Sequence, residues 1–192
     1  MPRKDEGRTP PPSAVAEPPE PGSNVARFRT LLKEGWSPPV ARLVGFRLTE
    51  IETDRAVIEM RAGPQHANPM GTLHGGILCD MADAAMGMAY ASGIPASRSF
   101  TTIELKINFL RPIWSGPLRA EGTIVRRGRT VGLVQCRITD VEGQMVAYAT
   151  STCMTIGGAD HDGLQRPQRP TPGAADPSGT TAAARSGGAA PR

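Results

Sequence analysis

From residue 65 to 76 the chain reads Gln-His-Ala-Asn-Pro-Met-Gly-Thr-Leu-His-Gly-Gly, and an aspartate, Asp83, follows nine residues after the second histidine. These residue types at this spacing suit chemistry at a carbonyl group. Gly75 and Gly76 stand where a polar loop gives way to an apolar-periodic segment, and glycines there let a ligand approach backbone N–H groups. The first N–H groups of a helix have no intrahelical partner and lie at the positive end of its dipole. They can polarise an oxygen that turns negative in a transition state. A carboxylate about two turns further on then supplies a base or a nucleophile. No metal is expected, because His66, His74 and His161 are too few and badly spaced for a ligand set. Cys79, Cys136 and Cys153 match neither a zinc site nor a disulfide framework.

The elements that must position these groups follow from periodicity. Gly75 to Ala91 holds no proline. At about 100° per residue, Ile77, Leu78, Met81, Ala85, Met88 and Ala89 fall within about 120° of arc. With Ile77 at 0°, Asp83 lies at about 240°, Gly87 at about 280° and Asp80 at about 300°, on the far side of the helix. Cys79 and His74 would diverge by about 140°, so Cys79 reads as a packed residue and not as a Cys-His nucleophile. The eight methionines read as core filling. A short helix is predicted over 25–37, ending at Gly35 before Pro38-Pro39. Phe46 and Leu48, then Ala56, Ile58 and Met60, alternate with polar residues as an antiparallel pair. Ile103, Leu105, Ile107 and Phe109 occupy odd positions of a further strand. Strands over 118–127, 130–139 and 144–156 follow, joined by short turns that contain glycine. The order is helix, two strands, one central helix, four strands. That predicts an α+β fold in which a six-stranded antiparallel sheet wraps around one central helix.

Composition sets the boundaries. Of 192 residues 19 are Pro, and 12 of these lie in 1–24 and 158–192, whereas all eight aromatic residues lie between. Segments without aromatics cannot bury enough apolar surface to offset chain entropy. One domain over 25–157 is therefore expected between a disordered Pro-rich tail, 1–24, and a disordered Gly/Ala/Pro-rich tail, 158–192. The charges of the tails cancel, so the domain carries the whole formal +4. Its basic residues are dispersed apart from Arg126, Arg127 and Arg129, and no basic stripe with interleaved aromatics argues for nucleic acid. No apolar run reaches the ~18 residues of a membrane helix, and residues 1–13 lack the apolar segment of a signal peptide. A cytoplasmic protein is expected, with neither membrane nor nucleic acid as partner.

Asn68, Gly71, His74, Gly75, Gly76 and Asp83, followed by Thr102-Ile103-Glu104-Leu105-Lys106-Ile107-Asn108-Phe109-Leu110-Arg111-Pro112, resemble the hotdog-fold acyl-CoA thioesterases of the phenylacetate-pathway (PaaI-like) group over about 40–156. The resemblance implies hydrolysis of an acyl- or aryl-acyl-CoA to a carboxylic acid and free CoA, with no cofactor because CoA is part of the substrate. It implies Asp83 as the carboxylate that activates water or attacks, the Gly75 N–H as carbonyl polariser with Asn68 as companion, and His74 as organiser of the loop. Thr102, or else its neighbour Thr101, orients the water. Gly76, Arg126, Arg127 and Arg129 are expected to meet the substrate, the arginines at the CoA phosphates. Homo-oligomers are implied, dimers with a site at each subunit boundary or tetramers of them. A noncatalytic acyl-CoA-binding or sensing protein is the alternative.

Overall fold

The computed structural model describes residues 24–157. The expected tail segments beyond them, with His161, lie outside the described residues. The chain forms α1 (Asn24–Lys33), α2 (Pro39–Val44), β1 (Phe46–Glu52), β2 (Arg55–Ala62), a 3₁₀ turn at Pro64–His66, α3 (Gly75–Ser92), β3 (Ser99–Phe109), β4 (Gly116–Arg127), β5 (Val131–Asp140) and β6 (Met145–Ile156). The six strands make one antiparallel sheet in the order β1-β2-β4-β5-β6-β3. This is the expected architecture, a sheet wrapped on one long helix.

Two local readings change. Asn24, expected in the first tail, opens α1, and its side-chain amide donates to the carbonyls of Ala91 and Ile94 at 3.1 and 3.2 Å. It thereby ties the start of α1 to the end of α3. Pro38-Pro39, read as a stop, instead begins α2: proline fits the first helical position, and Gly45 closes the helix in the left-handed region at φ 88°.

The sheet curls because four strands carry an extra residue. The register shifts at Thr49 in β1, Ile103 in β3, Val125 in β4 and Val146 in β6. Each bulge bends its strand and increases the twist. The wrapped helix is sealed by Met81, Ala82, Ala85, Met86, Ala89 and Tyr90, all with no exposed surface. The buried arc is broader than the expected stripe and rotated away from Ile77 and Met88, which stay only partly buried. At Gly122 the β4 backbone lies directly on α3, where an added Cβ would meet the backbone of Ala85 and Met86.

The bulge in β3 corrects the simple alternation. Thr102 pairs with Cys153 and Glu104 with Thr152, so Ile103 is the unpaired extra residue. Parity therefore reverses within the strand. Phe100 and Thr102 face α3 before the bulge; Leu105 and Ile107 pack on the core after it, and Ile103 points outward, 55% exposed.

Candidate active site

The loop that leads into α3 is held by its own polar groups. Asn68 Oδ1 accepts from the N–H groups of Met70 (2.9 Å) and Thr72 (3.2 Å), and its Nδ2 donates to the Thr72 hydroxyl at 2.9 Å. Gly71 takes φ 81°, a conformation that glycine adopts without strain, and its N–H donates to the Asn68 carbonyl. Asn68 thus spends both acceptor pairs and one of its two amide hydrogens on the loop. The second hydrogen remains for a ligand. His66 is buried, with Gly63 N–H donating to Nδ1 at 3.1 Å and Nε2 2.9 Å from the Val44 carbonyl. That set of partners assigns the neutral Nε2–H tautomer and a structural role, joining α2 to the loop.

His74 is the N-cap of α3. Its backbone is extended, and its Nδ1 accepts the Gly76 N–H at 2.9 Å. The helix start is therefore divided between the two glycines. Gly76 was expected to meet substrate, but its N–H is consumed by the cap. Among the described residues the Gly75 N–H has no such partner and remains available. Residue 75 must also be small, since an added Cβ would lie 2.8 Å from the Phe109 ring. Gly75 and Asn68 line a cavity of about 370 Å³ with Leu78, Phe109, Leu110 and Arg111.

Asp83 lies elsewhere. It lines a second cavity of about 360 Å³ between α3, α2 and the inner side of β1 and β3. The α3 residues on this wall are Asp80, Asp83, Ala84, Gly87 and Met88, which is the arc opposite the core that helical spacing assigned to Asp80, Asp83 and Gly87. The Thr102 hydroxyl donates to Asp83 Oδ1 at 3.0 Å. That contact decides between the neighbouring threonines, because Thr101 is exposed and its hydroxyl turns to the Thr102 carbonyl. The bulge at Ile103 is what turns Thr102 inward. It produces no sequence signal distinct from a continuous strand.

The Asp80 carboxyl is pushed above the usual carboxylate range, chiefly by burial and further by the nearby Asp83. Burial also raises the Cys79 thiol, with Asp80 adding to it, so Cys79 is poorly suited to be a nucleophile. Cys153, opposite Thr102 on β6, is raised chiefly by burial; hydrogen bonds with Ser151 and Thr102 act against the shift, and Asp83 adds a smaller upward effect. Among the described residues no group of three or more His, Cys, Asp or Glu side chains is placed to hold a metal ion.

Two further points differ from expectation. Gly75 and Asp83 are on one helix but eight residues apart, about 12 Å along its axis, and their two cavities share no lining residue. One copy of the chain therefore holds the Gly75 N–H and the Asp83 carboxylate, the two groups expected to act on a carbonyl, in separate cavities. Arg127, expected at a phosphate, is directed inward instead. Its Nη2 donates to Asp54 Oδ1 at 2.5 Å and to the Tyr90 carbonyl at 3.1 Å, and its guanidinium stacks 4.6 Å from the Tyr90 ring centroid. It clamps the C-terminal end of α3, where a cation complements the helix dipole. Among the described residues its Nε and Nη1 are buried without hydrogen-bond partners, and its Nη2 is committed within the chain. Arg126 and Arg129 stay exposed at the β4–β5 hairpin.

Residues 70–147 match the family model described as "Thioesterase superfamily". The chain is 30% identical over 120 residues to the acyl-coenzyme A thioesterase PaaI of Escherichia coli, covering 62% of this chain and 83% of that protein. It is 22% identical over 109 residues to the 1,4-dihydroxy-2-naphthoyl-CoA hydrolase of Listeria monocytogenes, covering 57% and 89%. Among solved structures, the Escherichia coli PaaI protein from the phenylacetic acid degradation operon superposes with a TM-score of 0.63 at 25% identity, covering 71% of this chain and 97% of that one.

Proposed function

This chain belongs to the thioesterase superfamily, and from that premise we propose that it is an acyl-CoA thioesterase, releasing a carboxylic acid and free CoA, with Asp83 as its reactive carboxylate. The observation that carries the reading is the Thr102–Asp83 hydrogen bond at the wall of a largely apolar cavity. One Asp83 oxygen is held by Thr102, and the residue lines the cavity. The carboxylate either removes a proton from water as that water attacks the thioester carbon, or attacks that carbon itself. In both routes the carbon–sulfur bond breaks and the electron pair leaves on sulfur; in the second, water then hydrolyses the mixed anhydride on Asp83, releasing the acid and restoring the carboxylate. Thiolate is a good leaving group, so polarising the carbonyl and activating the attacking group are the main requirements. No cofactor is needed beyond the CoA of the substrate.

The 12 Å offset, about eight rises of 1.5 Å, makes the site a shared one in this reading. Gly75 and Asn68 of one subunit polarise the carbonyl, and Asp83 and Thr102 of the other supply the attack. The apolar residues exposed at β3 and just beyond it, Ile103, Phe109 and Leu110, favour such an assembly. Arg126 and Arg129 are the arginines left to meet CoA phosphates, and the cytoplasm is the compartment this substrate implies.

The test is thiol release from a panel of acyl-CoAs by the wild type and by Asp83→Asn, which keeps shape and removes the base. The variant is expected to lose on the order of 10³ in kcat with little change in KM. Equal rates in the two proteins would overturn the role of Asp83. Binding without release from any substrate would favour an acyl-CoA-binding protein instead.

A further inference from the structure

Trp36 is a large apolar side chain left 50% exposed, yet it stands on the wall of the Asp83 cavity. Its backbone is fixed from both sides. At the end of α1 the Gly35 N–H donates to Leu32 O at 3.1 Å and the Trp36 N–H to Leu31 O at 2.9 Å, with Gly35 at φ 70°. This paired termination turns the chain sharply toward α2. Beyond it, Pro38 is held at φ −65° and ψ 156°, Pro39 opens α2, and the Arg42 guanidinium donates to the Ser37 carbonyl. The backbone of residues 36 to 38 is therefore constrained, and it presents the Trp36 side chain at the cavity wall.

Phe100 and Met88 line the same cavity. Gly87 provides the room there, since an added Cβ would lie 3.1 Å from the Phe100 ring. Phe100 is two residues from Thr102 on the inner side of β3, so these groups adjoin the proposed point of attack. Among the described residues on the wall the one cationic side chain is Arg47, hydrogen-bonded to Glu59 at 3.2 Å, while Asp80 and Asp83 add negative charge. The balance of charge on this wall disfavours a carboxylated acyl group.

We propose that Trp36 is a specificity-determining residue whose indole forms the end wall for the acyl group, selecting neutral acyl groups long or broad enough to reach it. The proposal rests on the acyl-CoA reading of the Asp83 cavity. Aromatic walls of this kind combine large contact area with little conformational cost, and a difference of one methylene or more in such a pocket is worth about tenfold or more in selectivity.

Two experiments test it. The first compares wild type, Trp36→Ala and Trp36→Phe on a straight-chain series from acetyl- to decanoyl-CoA, with benzoyl- and phenylacetyl-CoA. For acyl groups that reach the indole, KM is expected to rise about tenfold in Trp36→Ala, with kcat held within about threefold and much of the loss recovered in Trp36→Phe. The shortest groups should be unaffected. A loss uniform across the series, or an unchanged series, would overturn the proposal. The second uses Trp114→Phe, which leaves Trp36 as the sole tryptophan, and titrates it with a thioether analogue of acyl-CoA that cannot be hydrolysed. Trp36 emission should respond to the analogue and not to CoA alone; the same response to both, or none while the analogue binds, would overturn it. If the wild type hydrolyses no acyl-CoA but the emission still distinguishes analogue from CoA, the catalytic reading fails and the wall stands. Hydrolysis with an unmoved series sinks the wall alone.

Discussion

A shared active site makes a quantitative demand on mixtures of impaired subunits. The first perturbation is Asp83→Asn. The second removes the Gly75 N–H by Gly75→Pro. His74 is already at φ −66° and ψ 130°, the region a residue before proline prefers, and proline fits the first position of a helix. The obstacle is the Phe109 ring, 2.8 Å from an added Cβ, so Gly75→Pro is paired with Phe109→Ala, and Phe109→Ala alone is the control. Losing an oriented N–H donor costs about 10²–10³ in kcat and losing the base about 10²–10⁴, so each parent should retain about 1% of activity or less. When the two chains are co-expressed and assort at random, about half of the dimers are mixed. Each mixed dimer holds one site with Asp83 from one chain and Gly75 from the other, both intact, and one site with both defects. Steady-state thiol release should therefore recover to about a quarter of the wild-type rate, and to about half in mixed dimers isolated with two affinity tags. A co-expressed mixture no more active than the mean of its parents would refute the shared site. It would mean that one chain reaches both groups across the axial offset.

Three further outcomes are expected. Thr102→Val removes the hydroxyl that holds Asp83 Oδ1, so kcat should fall about tenfold with KM little changed, and Thr102→Ser should restore most of it. Gly122→Ala forces a Cβ against the α3 backbone, and the fold should lose about 2–3 kcal/mol, read as a fall in Tm on the order of 10 °C by calorimetry. Asp80 has a folded-state pKa above its unfolded value, from burial and then from Asp83, so its stability contribution is complete below about pH 4 and is lost as pH rises through the folded value. Asp80→Asn should accordingly melt higher than the wild type at neutral pH and no higher at pH 3. An advantage confined to acid would contradict the direction of the shift.

What was legible in the sequence is what depends on neighbours along the chain. Helical spacing alone put Asp80, Asp83 and Gly87 on one face away from the core, and those residues line one cavity. The 65–76 loop was legible for the same reason, since Asn68 organises partners only two and four residues away. Contacts distant in sequence were not. Arg127 looked like a surface cation because its partners, Asp54 and the Tyr90 carbonyl, lie 73 and 37 residues away. The pairing of Thr102 with Asp83 depends on a bulge that has no compositional mark, and the helix at Pro39–Val44 was hidden because Pro-Pro reads equally as a stop or a first turn.

The extra residue in β3 also bears on how copies of this protein avoid sticking to one another without limit. β3 is a sheet edge of 11 residues with apolar side chains facing outward, the kind of template on which strands from many chains can stack into fibres. Ile103 divides that edge into two short ladders, 99–102 and 104–109, set at different pitch. A bulge bends and twists the strand it sits in, so this edge is not the long, flat template that such stacking needs. The irregularity that aims a hydroxyl at a carboxylate thus also interrupts the edge on which open-ended stacking would grow.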